Sequence, residues 1–497
     1  MMREDWIEVE FSNIAINLKR GPFGGNLKKE FFVSSGYKVY EQKHAINKDY
    51  TLGSYFINDQ KYRELQGFAV EANDYIISCS GTIGKLYRLP PNAPNGVINQ
   101  ALLKIKIQDK LINHSYFSLL FESEYFQRKI LSDARGTGMQ NLAGMKEIKL
   151  VTLPLAPLPE QRAIAAKIEQ LFSELDNGIA NLKTAKSKLE IYRQAILKQA
   201  FEGELTKNWR KNNPYSLSAF LENLKTEKQL AIIDKKISKD NYFPDTTENN
   251  KIYSCSENWL QLPWKTICSN NKYAMKRGPF GSALKKEFFV DSGYTVYEQG
   301  HAINDDPYRD RYFISKEKYE ELKAFSVKHG DMIISCSGSL GRICLLPKDC
   351  KAGIINQALL KIDLDEKIIS KKLFLLMFRS ETFQRKIFQK SLGTAIPNMV
   401  AMAELKEFLI PIPSIEEQNQ IVQEIETRLS VCDKLNEAID QSLEKAQALR
   451  QSILKKAFEG KLLSQDELQT CRQQPDWETA AKLLERVKDK KNKLIAK

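Results

Sequence analysis

Apolar and polar positions along the chain fall into two textures, and the pair of textures occurs twice. The first is short apolar runs bounded by turn residues, such as Lys38-Val39-Tyr40-Glu41 and Tyr75-Ile76-Ile77-Ser78, which predict strands. Within it, Phe117–Ile130 carries apolar residues at helical spacing and predicts a helix. The second texture is a sevenfold spacing. Ile168, Leu175, Leu182, Leu189 and Ile196 form one series, and Ile425, Cys432, Ile439, Ala446 and Ile453 form another. Such spacing marks a coiled-coil seam. Pro159 and Glu160 suit a first helical turn, and Ser414 to Glu417 has capping-box spacing. Gly203 and Gly460 are placed to end the two helices. The seams differ in bulk, so the helices are expected to pair with each other inside one chain. Further helices are predicted over Ser216–Ile237 and Trp477–Lys497, with a polar linker over 239–257.

The repetition is literal. Residues 19–47 read KRGPFGGNLKKEFFVSSGYKVYEQKHAIN and residues 276–304 read KRGPFGSALKKEFFVDSGYTVYEQGHAIN, an offset of 257 (from 19 to 276). The same offset carries Ile76–Gly81 onto Ile333–Gly338 and Ala200–Gly203 onto Ala457–Gly460. A period this long means duplicated domains rather than a solenoid. The prediction is an α+β protein with two tandem strand-rich domains, 1–152 and 258–410. Helical regions follow at 153–205 and 411–462, a helical connector with linker at 206–257, and a helical tail at 463–497.

Composition narrows the class. At 497 residues the chain is too long for one core. It is 42% hydrophobic and 28% charged, as expected of a globular protein. Charged residues stand near the start where a signal peptide would be apolar, and no run is long enough to span a membrane, so a cytoplasmic address is expected. Eight cysteines without a CxxC pair, together with four histidines, give no metal-ligand cluster, and the cysteines are read as reduced and packed. Lys+Arg exceeds Asp+Glu by 75 to 62, which favours a polyanionic partner.

Each helix is preceded by a proline-rich strand and a Glu-Gln start: Leu153-Pro154-Leu155-Ala156-Pro157-Leu158-Pro159-Glu160-Gln161, and Ile410-Pro411-Ile412-Pro413-Ser414-Ile415-Glu416-Glu417-Gln418. The helices end in Ala200–Leu205 and Ala457–Leu462, and Asp74–Gly84 and Asp331–Gly341 repeat an Asp-apolar-apolar-Ser-x-Ser-Gly stretch. Together, and twice at constant spacing, these motifs resemble the specificity subunit of type I restriction–modification systems. The resemblance implies two target-recognition domains separated by two long helices, packed as an antiparallel coiled coil with pseudo-twofold symmetry. It implies a double-stranded DNA partner with a bipartite site, the helices acting as a ruler between half-sites. Two methyltransferase subunits and the restriction/translocase subunits are the implied protein partners. This chain would be a non-catalytic subunit that binds no cofactor, S-adenosylmethionine, ATP and Mg belonging to those partners. Because its two domains are near copies, both are expected to read the same or a closely related half-sequence. A stand-alone DNA-binding regulator is the alternative; an enzyme lacks a catalytic motif, since Asn212-Asn213-Pro214-Tyr215 lies in a polar connector.

Candidate DNA contacts come from residue chemistry. Lys19, Arg20 and Phe23, with Lys28 and Lys29, put cations and an aromatic on a Gly-Pro turn, as do Lys276, Arg277, Phe280, Lys285 and Lys286. Gln42, His44 and Asn47, and Gln299, His301 and Asn304, concentrate amides and imidazoles able to read base edges, the two histidines being equally suited to a structural hydrogen-bonding role. Ser80, Thr82 and Lys85, and Ser337, Ser339 and Arg342, suit close approach to phosphate. Asn99, Gln100, Asn356 and Gln357 are base readers or satisfy buried backbone. Arg135, Thr137 and Gln140, with Thr394 in the other copy, complete the set.

Overall fold

Tyr75-Ile76-Ile77-Ser78 is buried at all four positions because both faces of its strand are covered. Tyr75 and Ile77 face a core shared with Phe117, Phe121 and Phe126, whereas Ile76 faces another with Tyr40, Ala45 and Ile98. A computed structural model describes residues 3–23, 25–133, 140–244, 248–390 and 397–495. In it this strand is central to an antiparallel sheet ordered Ala15–Arg20, Leu102–Ile107, Tyr75–Ser78, Leu86–Arg88. A second sheet, ordered Phe56–Ile57, Tyr37–Tyr40, Gly96–Ile98, Ala69–Val70, contains a parallel pair in register at Val39 and Val97. The second copy repeats both sheets. One is ordered Met275–Arg277, Leu359–Ile362, Met332–Ser335, Ile343–Leu345; the other gains the short edge strand Phe289–Val290.

Contacts gather the chain into two units, residues 1–183 with 440–497, and residues 184–439. In each, the domain is closed by pairing of its first and last strands, Ile7 opposite Leu155 and Leu260 opposite Ile412. The last strand then runs into a long helix, Leu158–Glu202 after the first domain and Ile415–Phe458 after the second. Each core is completed by the end of the other helix and by the shorter helices beyond that end. Leu454, Ala457, Phe458 and Leu483 join Trp6, Phe11 and Ile168. Leu197, Ala200, Phe201 and Leu224 join Trp259, Trp264 and Ile425.

The heptad positions Ile168, Leu189, Ile196, Ile425, Cys432, Ala446 and Ile453 are buried, and Leu175, Leu182 and Ile439 are half-buried. Gly203 and Gly460 stop the helices at φ of 86° and 74°, where a side chain would be strained. Six cysteines are buried and two half-buried, all as free thiols. Burial pushes the Cys79 thiol up to about 11, which keeps it protonated and unreactive.

Several local expectations are corrected. Phe117–Ile130 is two helices, His114–Glu122 and Glu124–Ile130. Ser123 between them is extended, and its hydroxyl accepts the Phe126 amide at 3.3 Å. Helices predicted over Ser216–Ile237 and Trp477–Lys497 run Ser218–Ile233 and Ala480–Ile495, each preceded by a shorter one, Lys207–Asn212 and Gln465–Arg472. The segment expected as a polar linker is anchored: Tyr253 is buried with its hydroxyl on Ser380, and the Tyr242 carbonyl accepts the Thr266 hydroxyl. The connector before it sends buried Lys228 to the Cys268 carbonyl and Asn270 Oδ1, both at 2.8 Å.

The Glu-Gln pair at each helix start is a structural lock. Gln161 donates to the Leu111 and Ala156 carbonyls and accepts the Asn113 amide; Gln418 repeats this with Ile368, Pro413 and Ser370. The buried Glu160 accepts Trp6 Nε1 at 2.8 Å, and the buried Glu417 accepts Trp259 Nε1 at 2.9 Å. Only half of the expected capping box forms: Ser414 Oγ accepts the Glu417 amide at 3.2 Å, but the carboxylate is committed elsewhere.

Candidate nucleic-acid interface

Gly21 fixes the first loop. A Cβ there would stand 1.8 Å from the Asn99 carbonyl oxygen, so only glycine lets the Lys19–Phe23 turn lie against the 99–100 segment. The Asn99 amide donates to the Tyr40 carbonyl at 2.9 Å, which brings in the start of the helix Gln42–Asn47. Ser80 Oγ in turn donates to Gln42 Oε1 at 2.9 Å. Four sequence-distant candidates therefore share one arc. The second copy rebuilds it with Gly278 against Asn356, the Asn356 amide on Tyr297, and Ser337 on Gln299 at 3.0 Å.

Phe23 and Phe280 are 84% and 88% exposed, so neither is a core residue; each is a bare aromatic at the tip of a basic turn. Lys19 lies 4.4 Å from the Phe68 ring centroid and Lys276 5.3 Å from that of Phe325, which aims each cation without neutralising it. Arg20, Lys28, Lys29, Arg277, Lys285 and Lys286 are exposed, as are Thr82, Lys85, Ser339 and Arg342 on the Ser-Gly loops. Gln100 and Gln357 are exposed beside the arc, whereas Asn99 and Asn356 use Oδ1 to accept the amides of Ala101 and Ala358 and shape the turn. Asn47 and Asn304 turn their amide nitrogens back onto the Lys43 and Gly300 carbonyls. Gln140 begins the strand Gln140–Leu142, while Arg135, Thr137 and Thr394 lie outside the described residues.

For His44 and His301 the structure selects the structural role and removes them from the candidate contacts. Both are fully buried and unable to touch DNA. Nδ1 of each accepts a backbone amide, from Glu41 at 2.8 Å and from Glu298 at 2.9 Å, while Nε2 of His44 is bonded to the Leu52 carbonyl. Burial lowers both pKa values below the ordinary 6.5. The folded protein thus holds them neutral while the unfolded chain takes up protons near pH 6.5. Their contribution to stability is full above that pH and is lost as pH falls through the lowered folded values. Thermal melts should show Tm falling between about pH 6.5 and 5, and His44→Gln with His301→Gln should flatten that limb. An unchanged limb in the double variant would assign the acid sensitivity to other groups.

Sequence reasoning missed the loop between the helix Gln42–Asn47 and the strand Phe56–Ile57, where Tyr55 stacks on Phe32 with centroids 4.6 Å apart and Lys43 sits 5.6 Å from the Tyr55 centroid. The available signal was its divergence: residues 48–54 read KDYTLGS and 305–311 read DDPYRDR between nearly identical flanks.

Among the described residues no His/Cys/Asp/Glu group could hold a metal, and no helix is long and apolar enough to cross a membrane. Residues 64–184 and 280–445 match the family described as type I restriction modification DNA specificity domain. The EcoBI specificity subunit of Escherichia coli is 26% identical over 85% of this chain and 81% of its own length. The EcoKI subunit of E. coli strain K12 is 24% identical over 76% and 72%. In fold, the chain resembles the HsdS subunit of Thermoanaerobacter tengcongensis (TM-score 0.52, 16% identity, 93% and 98% covered). It also resembles a chain from a structural study of assembly and conformational transition of the type I R-M system (TM-score 0.60, 16% identity, 93% and 100% covered). With two matched segments spanning more than half of its length, this chain belongs to the type I restriction modification DNA specificity family.

Proposed function

We propose that the chain is the non-catalytic DNA-reading subunit of a type I restriction–modification complex, each domain taking one half of a bipartite site. The observation that carries this is the twice-built arc: a glycine-pinned basic turn with a bare phenylalanine, a glutamine at a helix start, and a Ser-Gly loop bonded to it. Phosphate contacts would come from the cations and base readout from Gln42 and Gln299. Methyltransferase and restriction subunits would supply the chemistry and bind S-adenosylmethionine, ATP and Mg.

The antiparallel coiled coil and the pseudo-twofold belong to the same proposal. Arg193 pairs with Asp433 in one unit and Asp176 with Arg450 in the other. Within each unit the start of one long helix thus lies beside the end of the other, which supports antiparallel pairing. A helix of 45 residues is about 68 Å long. That length would set the spacing between half-sites.

The test is methylation mapping of cells carrying the chain with the methyltransferase subunit of its own system. A bipartite motif is expected, with Gln42→Ala relaxing one half and Gln299→Ala the other. A motif without two halves, or one unmoved by either variant, would reject the reading.

A further inference from the structure

The two domains hold their divergent loop in the same frame while changing what it carries. At the start of the loop, Lys48 pairs with Glu122 at 2.5 Å in the first domain, and the equivalent Asp305 pairs with Arg379 at 2.7 Å, the charges exchanged. Further along, Asn92 donates to the Tyr50 hydroxyl at 2.8 Å, and the Tyr308 hydroxyl donates to Asp349, the equivalent of Asn92, at 2.9 Å. The tyrosine has moved one position along the loop and kept its anchor. The buried His44 also pins the loop at the Leu52 carbonyl, whereas Nε2 of the buried His301 is left without a hydrogen-bond partner among the described residues. Past the shared anchors the side chains differ completely: Leu52-Gly53-Ser54 in one domain, Arg309-Asp310-Arg311 in the other.

The change falls beside the reading glutamine. In the first domain Lys43, next to Gln42, fills the space against Gly53 and pairs with Glu41 at 2.6 Å. In the second domain position 43 becomes Gly300, and Arg309 comes from the loop to lie there. Its guanidinium carbon is 3.4 Å from where a Cβ would stand on Gly300. Arg311 adds a second guanidinium, 4.9 Å from the centroid of Tyr312, the counterpart of Tyr55. A cation beside the glutamine is thus retained, but one domain supplies a neutralised ammonium and the other exposed guanidinium forks. Only the fork can grip O6 and N7 of a guanine together in fixed geometry.

We propose that residues 48–54 and 305–311 are where the two readers part. Arg309 and Arg311 address a guanine next to the base taken by Gln299, and the first domain makes no equivalent contact. The half-sites therefore share a common part and differ at one or two adjacent base pairs. This rests on the DNA-reading function proposed above and narrows the expectation of the same or a closely related half-sequence to a related, unequal pair.

The experiment is the same methylation mapping, with Gln42→Ala and Gln299→Ala assigning each half-site to its domain. The wild-type complex should return two related halves, the second domain's carrying a G·C pair that the other lacks. Arg309→Leu with Arg311→Ser, the residues of the first domain, should make that position degenerate, a loss of roughly ten- to hundredfold discrimination. The first domain's half should be unchanged. Because both arginines are exposed, the Tm of the variant should match wild type, confirming that it folds. Identical half-sites, or a motif unmoved by the double variant, overturn the loop assignment while leaving the bipartite function standing. Absence of any two-part motif, or no response to the glutamine variants, overturns the function itself and the assignment with it.

Discussion

Glu417→Ala should lower the Tm of the unit formed by residues 184–439 by on the order of 10 °C, the largest stability effect expected of any single carboxylate. Its side chain is 4% exposed and is bonded to three residues on two segments: Trp259 Nε1 at 2.9 Å, Thr206 Oγ1 at 2.7 Å and the Arg210 guanidinium at 2.7 Å. Arg210 also donates to the Gly203 carbonyl at the end of the first long helix and lies 5.1 Å from the Trp259 ring centroid. Removing the carboxylate strands a guanidinium and an indole N–H in the interior, a loss of about 3–5 kcal/mol. Glu417→Gln should cost less, because it keeps the acceptor for one donor. Glu160→Ala makes the comparison. Trp6 is its one short partner and Arg3 stands 3.9 Å away, so its effect should be clearly smaller. Pairing Glu417→Ala with Arg210→Met should recover part of the loss, since the stranded charge is gone. Equal effects for the two alanine variants, or strict additivity in the double variant, would show that Glu417 is not the joint described.

Features governed by local pattern were legible in the sequence. The duplication, the heptad spacing and the glycine stops were read from spacing alone, and the Tyr75–Ser78 run was read as a short strand. The features that escaped were set by partners distant in sequence. Glu160 was read as a charge favouring a helix start and Glu417 as a capping-box position, but their tryptophan partners are 154 and 158 residues away. Ser123 fell inside the predicted helix Phe117–Ile130, yet its hydroxyl caps a second one. His44 and His301, rich in donor and acceptor capacity, read equally as DNA contacts and as structural histidines. Their neighbours' backbone amides use that capacity inside the fold. The arc was legible only as separate motifs, because Gly21 against Asn99 and Ser80 on Gln42 join segments far apart in sequence. The variable loop was visible as the place where two near-copies disagree, but its nearness to Gln299 needed the packing of Arg309 on Gly300.

Replacing Lys19, Arg20, Lys28 and Lys29 together by glutamine should flatten the salt dependence of DNA binding without changing the sequence read. All four side chains are exposed, and none is held in the core, so the fold should tolerate their loss. Lys28 has a partner in Glu30 at 3.7 Å, but so exposed an ion pair yields readily to a phosphate. Each phosphate neutralised releases counterions and contributes about 0.9 to the slope of log K against log salt. Four lost contacts should therefore reduce that slope by about 3–4, and weaken binding at 0.1 M salt on the order of a thousandfold. The equivalent replacement of Lys276, Arg277, Lys285 and Lys286 should act equally, since the second domain presents the same turn. Phe23→Ala should behave differently. An aromatic that stacks on or wedges between bases carries no charge, so affinity should drop at an unchanged salt slope. Titrations of the assembled complex on duplexes with a matched and a scrambled site, at several salt concentrations, separate these effects. A slope that stays constant after loss of all four cations would take the basic turn off the phosphates and leave its exposed phenylalanine as the only contact it makes.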